Sequence, residues 1–320
     1  MKCRRCRGDA LIDLPRHNAN FCRDCFRHFC RGQVEKAGAD HEMLLKDDRV
    51  LVCVSGGKDS LALWDLLLDL GYSADGLYLG LGIDEGTGYS DESVTYARAY
   101  AVGRGLTLIE VDIPDEFGFD IPAGAKAARR VPCSACGLSK RHLFNRAALE
   151  GGYDVVATGH NLDDEAAVLF GNTLRWDTDY LGRQLPVLPG GNGFAKKVKP
   201  LIRLAEREMA AYCVLSGIDY QVEECPMSAG NSHLGYKAAL NMIEASSPGT
   251  KASFYLNFLE HAAPLFRPSA AATVEGGLSP CAACGSPTTG EVCAFCRLVE
   301  KAGVQRDRPR SVPVSIGERQ

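Results

Sequence analysis

Residues 50–60 read VLVCVSGGKDS, and this segment of the 320-residue chain combines three local signals. An apolar run predicts a buried strand, and two glycines permit a turn with positive φ in which backbone N–H groups approach an anion closely. The apolar run that follows Ser60 predicts a helix whose N-terminus, with its unpaired N–H groups, faces the same anion. The segment therefore predicts a phosphate-binding loop between a strand and a helix.

The loop differs from a Walker A loop, in which a hydroxyl residue directly follows the lysine. Here an aspartate follows Lys58. The order Ser-Gly-Gly-Lys-Asp-Ser resembles the PP-loop of ATP pyrophosphatases, a family that cleaves ATP between the α and β phosphates and leaves AMP on a substrate oxygen. The resemblance implies that ATP binds here, with Lys58 and Asp59 also as candidate catalytic residues. The candidate nucleotide-binding residues of the loop are Ser55, Gly56, Gly57, Lys58, Asp59 and Ser60.

The composition is that of a globular protein with room for a full core and small satellite modules, since 46% of the residues are hydrophobic and 24% are charged. The chain has no run of about 18 apolar residues and no apolar signal region at its start. We therefore expect a cytoplasmic protein without a membrane span. In such a chain, fourteen cysteines are better explained by metal sites than by disulfides.

Positive charge is concentrated near the N-terminus, although the net charge of the whole chain is −4. Residues 1–36 contain nine Lys and Arg against four Asp and Glu. Further basic groups lie at residues 126–130, 140–141 and 196–199. Such groups could follow the phosphate backbone of a nucleic acid, although each group alone could equally be a solvated surface.

Two sets of four cysteines, one near each end of the chain, have the spacing of zinc ribbons. The first follows C-x2-C-x15-C-x2-C and the second C-x2-C-x8-C-x2-C. Four thiolates leave no open position on a tetrahedral ion, so we predict two structural Zn²⁺ ions. His17 or His28 could replace a ligand in the first set, and a redox dithiol stays an alternative for either set. The predicted ligands are Cys3, Cys6, Cys22 and Cys25, and Cys281, Cys284, Cys293 and Cys296.

Between the ribbons, predicted strands alternate with predicted helices. Strand-like runs occupy residues 50–54, 76–81, 106–113 and 153–158, and helical runs occupy residues 60–70, 90–103 and 137–150. This alternation predicts an α/β fold with a doubly wound parallel sheet that binds ligands at the carboxyl ends of its strands. We predict an N-terminal zinc ribbon (1–36), a PP-loop domain with a helical C-terminal part (37–266), a linker and second ribbon (267–304) and a disordered tail (305–320).

Three further cysteines stand apart from the ribbons. Cys133 and Cys136 lie at the start of a predicted helix, where the dipole and nearby cations lower thiol pKa values, and Cys225 precedes a proline. Three thiolates leave one iron of a 4Fe-4S cluster open to another ligand. A persulfide or disulfide mechanism and a structural zinc stay open as alternatives. Cys53 and Cys213 are most simply core residues.

A second motif, TGHNLDDEA, occupies residues 158–166 and follows another predicted strand. It therefore lies at the same edge of the sheet as the loop, with Gly159 beside the nucleotide. Asp163 or Asp164 could hold Mg²⁺, which prefers oxygen ligands, while Lys58 neutralises the departing pyrophosphate. The alternative is an ordinary acidic first turn of a helix.

The order of these motifs resembles the tRNA 2-thiouridine synthetases of the TtuA group over residues 1–300. The resemblance implies a PP-loop fold of the HUP type flanked by zinc ribbons that contact tRNA. It implies a 4Fe-4S cluster on Cys133, Cys136 and Cys225, and it adds Lys140 and Asp164 as candidate catalytic residues. It also implies a ubiquitin-like sulfur carrier with a C-terminal thiocarboxylate, and a possible homodimer. The expected reaction is ATP-dependent 2-thiolation of a tRNA uridine, with the T-loop position favoured over the wobble position.

Two other functions remain open from the sequence. A PP-loop ligase or amidotransferase acting on a small molecule would release AMP without tRNA, but it leaves both ribbons unexplained. A non-catalytic zinc-ribbon nucleic-acid adaptor would bind ATP without turnover, and the intact Lys58, Asp59 and Asp164 count against it.

Overall fold

The computed structural model describes residues 1–84, 86–228, 232–266 and 277–303. At the N-terminus, β1 (Ile12–Leu14) and β2 (Ala19–Phe21) form an antiparallel hairpin, and α1 (Arg23–Asp40) follows it. The predicted boundary after residue 36 lies inside α1, whose apolar side chains, Phe26 among them, join the central core. The ribbon and the central fold thus share one continuous helix.

The central sheet has six strands in the order β5-β4-β3-β6-β8-β7, and β7 alone runs antiparallel to its neighbour. The strands are β3 (Arg49–Val54), β4 (Ser73–Gly80), β5 (Leu108–Asp112), β6 (Val155–Thr158), β7 (Val187–Leu188) and β8 (Lys196–Val198). This sheet confirms the predicted α/β class. The sequence missed β7 and β8, because β7 has only two residues and β8 begins with two lysines in place of an apolar pattern.

Helices connect the strands and continue beyond them. They are α2 (Lys58–Asp69), α3 (Tyr89–Arg104), α4 (Ile113–Phe117), α5 (Ile121–Ala127), α6 (Pro132–Glu150), α7 (Leu162–Arg175), α8 (Thr178–Arg183), α9 (Glu206–Ser216), α10 (Ser232–Ser246), α11 (Thr250–Asn257) and α12 (Ala263–Phe266). Within the described ranges, no helix is long and apolar enough to cross a membrane.

The chain changes direction across the sheet between β3 and β6. From β3 the chain builds outward through β4 and β5, and it returns to the other side of β3 with β6. In a doubly wound sheet, such a switch point opens a crevice at the carboxyl ends of the two neighbouring strands. The loop after β3 and the motif after β6 both lie at this crevice.

Both faces of the sheet are covered by apolar packing. On one face, α1, α2 and α9 pack together around the fully buried Trp64, whose indole N–H donates to the Ala74 carbonyl at 3.0 Å. On the other face, α5 and α6 pack against α13 (Ala294–Lys301) through the buried Phe295.

The C-terminal cysteine segment begins with β9 (Ser279–Pro280) and β10 (Pro287–Thr288), which form an antiparallel pair before α13. The ring of Phe295 in α13 stacks on the ring of His142 in α6, and the two ring centroids are 4.2 Å apart. Most of the predicted linker and the predicted disordered tail lie outside the described residues.

Candidate functional site

The loop after β3 is shaped by Gly56 and by two serines. Gly56 has a φ of 75°, and a Cβ there would stand 2.2 Å from the Ser93 carbonyl oxygen. The Ser60 hydroxyl accepts from the Ser55 N–H at 3.1 Å and donates to the Gly57 carbonyl at 2.9 Å. The turn is therefore closed by its own side chains, and the N-terminus of α2 is directed to the carboxyl edge of the sheet.

The motif after β6 packs directly onto this loop. A Cβ on Gly159 would lie 3.0 Å from the backbone of Asp59 and Ser60, so the two segments can approach this closely because Gly159 has no side chain. Asn161 caps α7 by accepting from the N–H groups of Asp163 and Asp164. Its amide also donates to Asp59 at 2.9 Å. The two motifs form one unit.

A cavity of about 280 Å³ opens between these segments, at the lower end of the range for small-molecule sites. Three aromatic rings from outside the motifs, those of Tyr78, Tyr89 and Phe144, contribute to its wall. No sequence signal singled them out, because each reads as an ordinary apolar position. The predicted site residues that line the cavity are Ser55, Asp59, Ser60, Lys140 and Gly159.

The two candidate lysines point to different places. Lys140 lines the cavity, and it makes no hydrogen bond or ion pair with the described part of the chain. The Lys58 ammonium instead lies 2.8 Å from Glu206 and 3.2 Å from Asp59, and Lys58 lines a neighbouring cavity of about 680 Å³. Burial opposes the charge on Lys58, but Asp59 and Glu206 outweigh it and raise the pKa of this ammonium.

The adjacent carboxylates of the second motif are also in different environments. Asp163 is 4% exposed; one of its oxygens pairs with Lys251, and the other accepts the Glu206 N–H at 2.8 Å. The Asp164 carboxylate lies 2.6 Å from the Lys237 ammonium. Burial opposes ionisation of Asp164, yet His233 and Lys237 together lower its pKa below the usual value.

The three central cysteines come together from two segments. Cys133 and Cys136 lie in the first turns of α6, and the Cys133 thiol donates to the Met227 carbonyl at 3.4 Å, next to Cys225. Burial raises the pKa of the Cys225 thiol, and the charges of Cys136 and Cys133 act in the same direction. The three sulfurs do not all lie within 4.8 Å of one another, whereas the four sulfurs of each group near the chain ends do, so the three thiols form no compact single-ion site.

The three cysteines lie close to residues that line the cavity. Lys140 lies four residues after Cys136 on α6, so both side chains project from the same face of the helix. Tyr89 lines the cavity, and burial together with the nearby charge of Cys225 raises its pKa to about 12. One helix thus carries both thiols and the cavity lysine.

Each set of four cysteines near the chain ends forms a compact group. The Cys6 and Cys22 sulfurs are 3.6 Å apart, and the Cys281–Cys296 and Cys284–Cys293 pairs are each 3.8 Å apart. A tetrahedral Zn²⁺ with Zn–S bonds of about 2.3 Å requires sulfurs about 3.8 Å apart. Both groups therefore have the donor set and the dimensions of a structural zinc site, and neither Cys30 nor a histidine belongs to them.

The N-terminal cysteine group is attached to the central fold by a buried ion pair. The Arg16 guanidinium donates to both oxygens of Glu208 on α9, at 2.8 and 2.5 Å, and to the Arg203 carbonyl at 2.8 Å. Bidentate geometry and burial make this a strong attachment.

A sheet of this order, with a glycine loop at the switch point, defines a doubly wound α/β protein. Its fold matches the U34-tRNA thiolase NcsA from Methanococcus maripaludis, solved with its [4Fe-4S] cluster, with a TM-score of 0.76 and 26% identity over 97% of this chain and 99% of that one.

The chain belongs to the family of tRNA-5-methyluridine(54) 2-sulfurtransferases. It is 46% identical to the Thermus thermophilus enzyme of that name over 100% of this chain and 97% of the relative. The Pyrococcus horikoshii enzyme is 40% identical over 93% of each chain. Residues 2–27 match the family model of the N-terminal LIM domain of the 2-thiouridine synthetase TtuA. The predicted family is thereby confirmed.

Proposed function

We propose that this chain replaces O2 of the uridine at position 54, in the T-loop of tRNA, with sulfur in an ATP-dependent reaction. The observation that carries the proposal is the whole-chain identity of 46% to a sulfurtransferase named for that position. The adjacent cavity and cysteines support it, because they offer an activating site and a sulfur site side by side.

The chemistry requires two bond exchanges. A uridine C2 carbonyl has no leaving group, so O2 first attacks the α-phosphate of ATP and pyrophosphate departs. A sulfur nucleophile then adds to C2, the C2–O2 bond breaks, and AMP leaves with the oxygen. The electrons balance without an external oxidant or reductant when sulfur enters as sulfide.

The residues of the cavity match the first exchange. The N-terminus of α2 and the loop N–H groups would bind the phosphates, and Lys140 would stabilise the negative charge that develops near the α-phosphate. Asp59 lines the small cavity and would hold Mg²⁺ together with its neighbour Asp164, whereas Asp163 lines the larger cavity beside Lys251. We assign Lys58 to the support of Asp59 and not to the pyrophosphate, because its ammonium is held by Glu206.

Cys133, Cys136 and Cys225 would hold a 4Fe-4S cluster. With three protein ligands, the cluster would supply an open iron that keeps sulfide deprotonated and nucleophilic. The fit rests on three thiols that meet beside the cavity and are spread more widely than a single-ion site. The chain's own contribution is to place Lys140 on the same helix as two of these thiols.

The remaining assignments concern partners. Exposed basic side chains of the N-terminal ribbon, such as Arg5 and Arg23, and those of residues 126–130 beside Cys133 could contact the tRNA backbone. The target base must leave its stack to enter the crevice. The proposal also includes two structural Zn²⁺ ions, a ubiquitin-like sulfur carrier, a homodimer and a cytoplasmic location. One relative, from Chlamydomonas reinhardtii, is named a cytoplasmic tRNA 2-thiolation protein.

The test is nucleoside mass spectrometry of tRNA from a deletion strain carrying the wild-type gene or variants. We expect wild type to restore 2-thiolation at position 54, and Lys140→Ala and Cys133→Ala to abolish it. Cys30→Ala removes a buried thiol that belongs to neither four-cysteine group and does not line the smaller cavity, and it is the matched control. Thiolation at position 34 alone, or AMP release at the same rate with and without tRNA, would contradict the proposal.

Metal analysis after anaerobic purification tests the cluster separately. We expect about four irons per chain for wild type and for Lys140→Ala, and loss of iron in Cys225→Ala. An active enzyme that holds no iron would favour the persulfide alternative.

A further inference from the structure

Two residues outside every sequence motif complete a closed ring of polar contacts at the edge of the nucleotide cavity. The ring has six members, joined in order by hydrogen bonds or ion pairs: Glu206, Lys58, Asp59, Asn161, Asp164 and Lys237. Its members come from the loop helix α2, the cap and first turn of α7, and the helices α9 and α10.

The first half of the ring leads from Glu206 to the second motif. The Lys58 ammonium donates to Glu206 at 2.8 Å and lies 3.2 Å from one oxygen of Asp59. The other oxygen of Asp59 accepts from the Asn161 amide at 2.9 Å. Both oxygens of Asp59 are therefore held by partners on opposite sides.

The second half returns to Glu206. The Asn161 N–H donates to one Asp164 oxygen at 3.1 Å, and the other oxygen lies 2.6 Å from the Lys237 ammonium. Lys237 in turn lies 3.1 Å from the second oxygen of Glu206. Glu206 is thus the one member that bridges the two ammonium groups.

The ring forms part of the wall between two cavities. Asp59 lines the smaller cavity beside Lys140, whereas Lys58 and Glu206 line the larger one. Asp59, on the side of the smaller cavity, is consequently held by Lys58, which lines the larger one. A displacement of Glu206 would therefore shift Asp59 and Asp164, although Glu206 itself does not line the smaller cavity.

We propose that Glu206 and Lys237 are positioning residues of this active site, which orient the Asp59 and Asp164 carboxylates through a shared ring. The inference rests on the proposed function, because the reaction there is what the two carboxylates serve. Without the Glu206 carboxylate, the Lys58 and Lys237 ammonium groups lose their common counter-charge and separate. The carboxylates that they hold then move, and a misplacement of about 1 Å can cost about 100-fold in rate.

The test compares Glu206→Gln, Lys237→Met and the double variant in tRNA-dependent AMP release. We expect each single change to lower kcat about 10- to 100-fold, with KM for ATP changed less than about threefold, since neither residue lines the smaller cavity. The double variant should be no worse than the more damaged single one, because both changes open the same ring. Lys237→Arg keeps the charge and should restore most of the activity.

Glu110→Gln is the matched control, since Glu110 forms a bidentate ion pair with Arg98 on the far edge of the sheet. Circular dichroism, zinc and iron content should be unchanged in all variants. Full activity of Glu206→Gln, or multiplicative losses in the double variant, would overturn the inference while the proposed function stands. A wild-type enzyme that releases no AMP with tRNA would overturn both.

Discussion

The conformation of the loop requires a residue without a Cβ at position 56, which is Gly56. Its φ of 75° is in the left-handed region, and the Ser93 carbonyl occupies the place where a Cβ would stand, at 2.2 Å. The contact is with backbone, so it cannot be relieved by a rotamer change. The shape of the loop therefore depends on α3, which the sequence motif does not include.

Replacing this glycine should disable nucleotide binding. For Gly56→Ala we expect at least about a tenfold loss of ATP affinity by isothermal titration calorimetry, because the loop must move away from α3. Gly103→Ala is the control: Gly103 lies in α3 with open space around it, so this variant should bind ATP normally and gain slightly in thermal stability. Equal affinities for the two variants would refute the steric argument.

Single residues also show the limit of motif-based reasoning. The motif predicts that Lys58 and Asp163 face the phosphates, yet the structure turns both side chains to partners on α9 and α11. A motif specifies the backbone path, and the direction of a long side chain depends on charges that arrive from elsewhere in the fold. Glu206 and Lys251 supply those charges from positions that no motif marks.

At the level of elements, α6 links the sites. Its first turns carry Cys133 and Cys136, its next turn carries Lys140, and its middle packs on the C-terminal ribbon through His142 and Phe295. The predicted start of this helix at residue 137 was too late, because Pro132 is compatible with the first turn and the cysteines form part of the helix.

The turn between β1 and β2 joins the N-terminal ribbon to α9 and should respond to pH. His17 lies in this turn, 3.9 Å from Glu208, which Arg16 already holds. Burial and then Arg16 lower the pKa of His17 below its ordinary value of 6.5. The unfolded chain therefore binds the proton more readily, and the free energy of unfolding falls as pH drops through about 6.5.

His17→Gln should reduce this pH dependence. Urea unfolding of zinc-loaded protein between pH 7.5 and 5.5 should show a shallower decline in the free energy of unfolding than for wild type, because the variant has no proton to bind there. His261→Gln, at an exposed position between α11 and α12, is the control. Parallel curves for His17→Gln and wild type would show that the histidine makes no such contribution.

In the whole molecule, the two cysteine groups brace opposite faces of one sheet. The N-terminal group is anchored on α9 through Arg16, and the C-terminal group is anchored on α6 through α13. Because a structural metal contributes directly to the folding of the segment that binds it, loss of either ion should loosen one face only.

Metal analysis of variants tests this arrangement. We expect two zinc ions per wild-type chain and one in Cys6→Ser or Cys284→Ser. Hydrogen exchange should rise in α1 and the hairpin for Cys6→Ser and in α13 for Cys284→Ser, whereas Cys30→Ala should match wild type in both measurements. Loss of both ions from a single change would show that the groups are coupled.

The sequence by itself determined the elements that local pattern controls: the strand-loop-helix at residues 50–60, the alternation that makes a doubly wound sheet, and the cysteine spacings. These follow from periodicity, from glycine's backbone freedom and from ligand geometry, all of which act over a few residues. The tertiary structure alone decided which charged groups meet. The ring through Glu206 and Lys237 joins four helices that are distant in the sequence, and such contacts depend on packing and long-range charge, which no local pattern encodes.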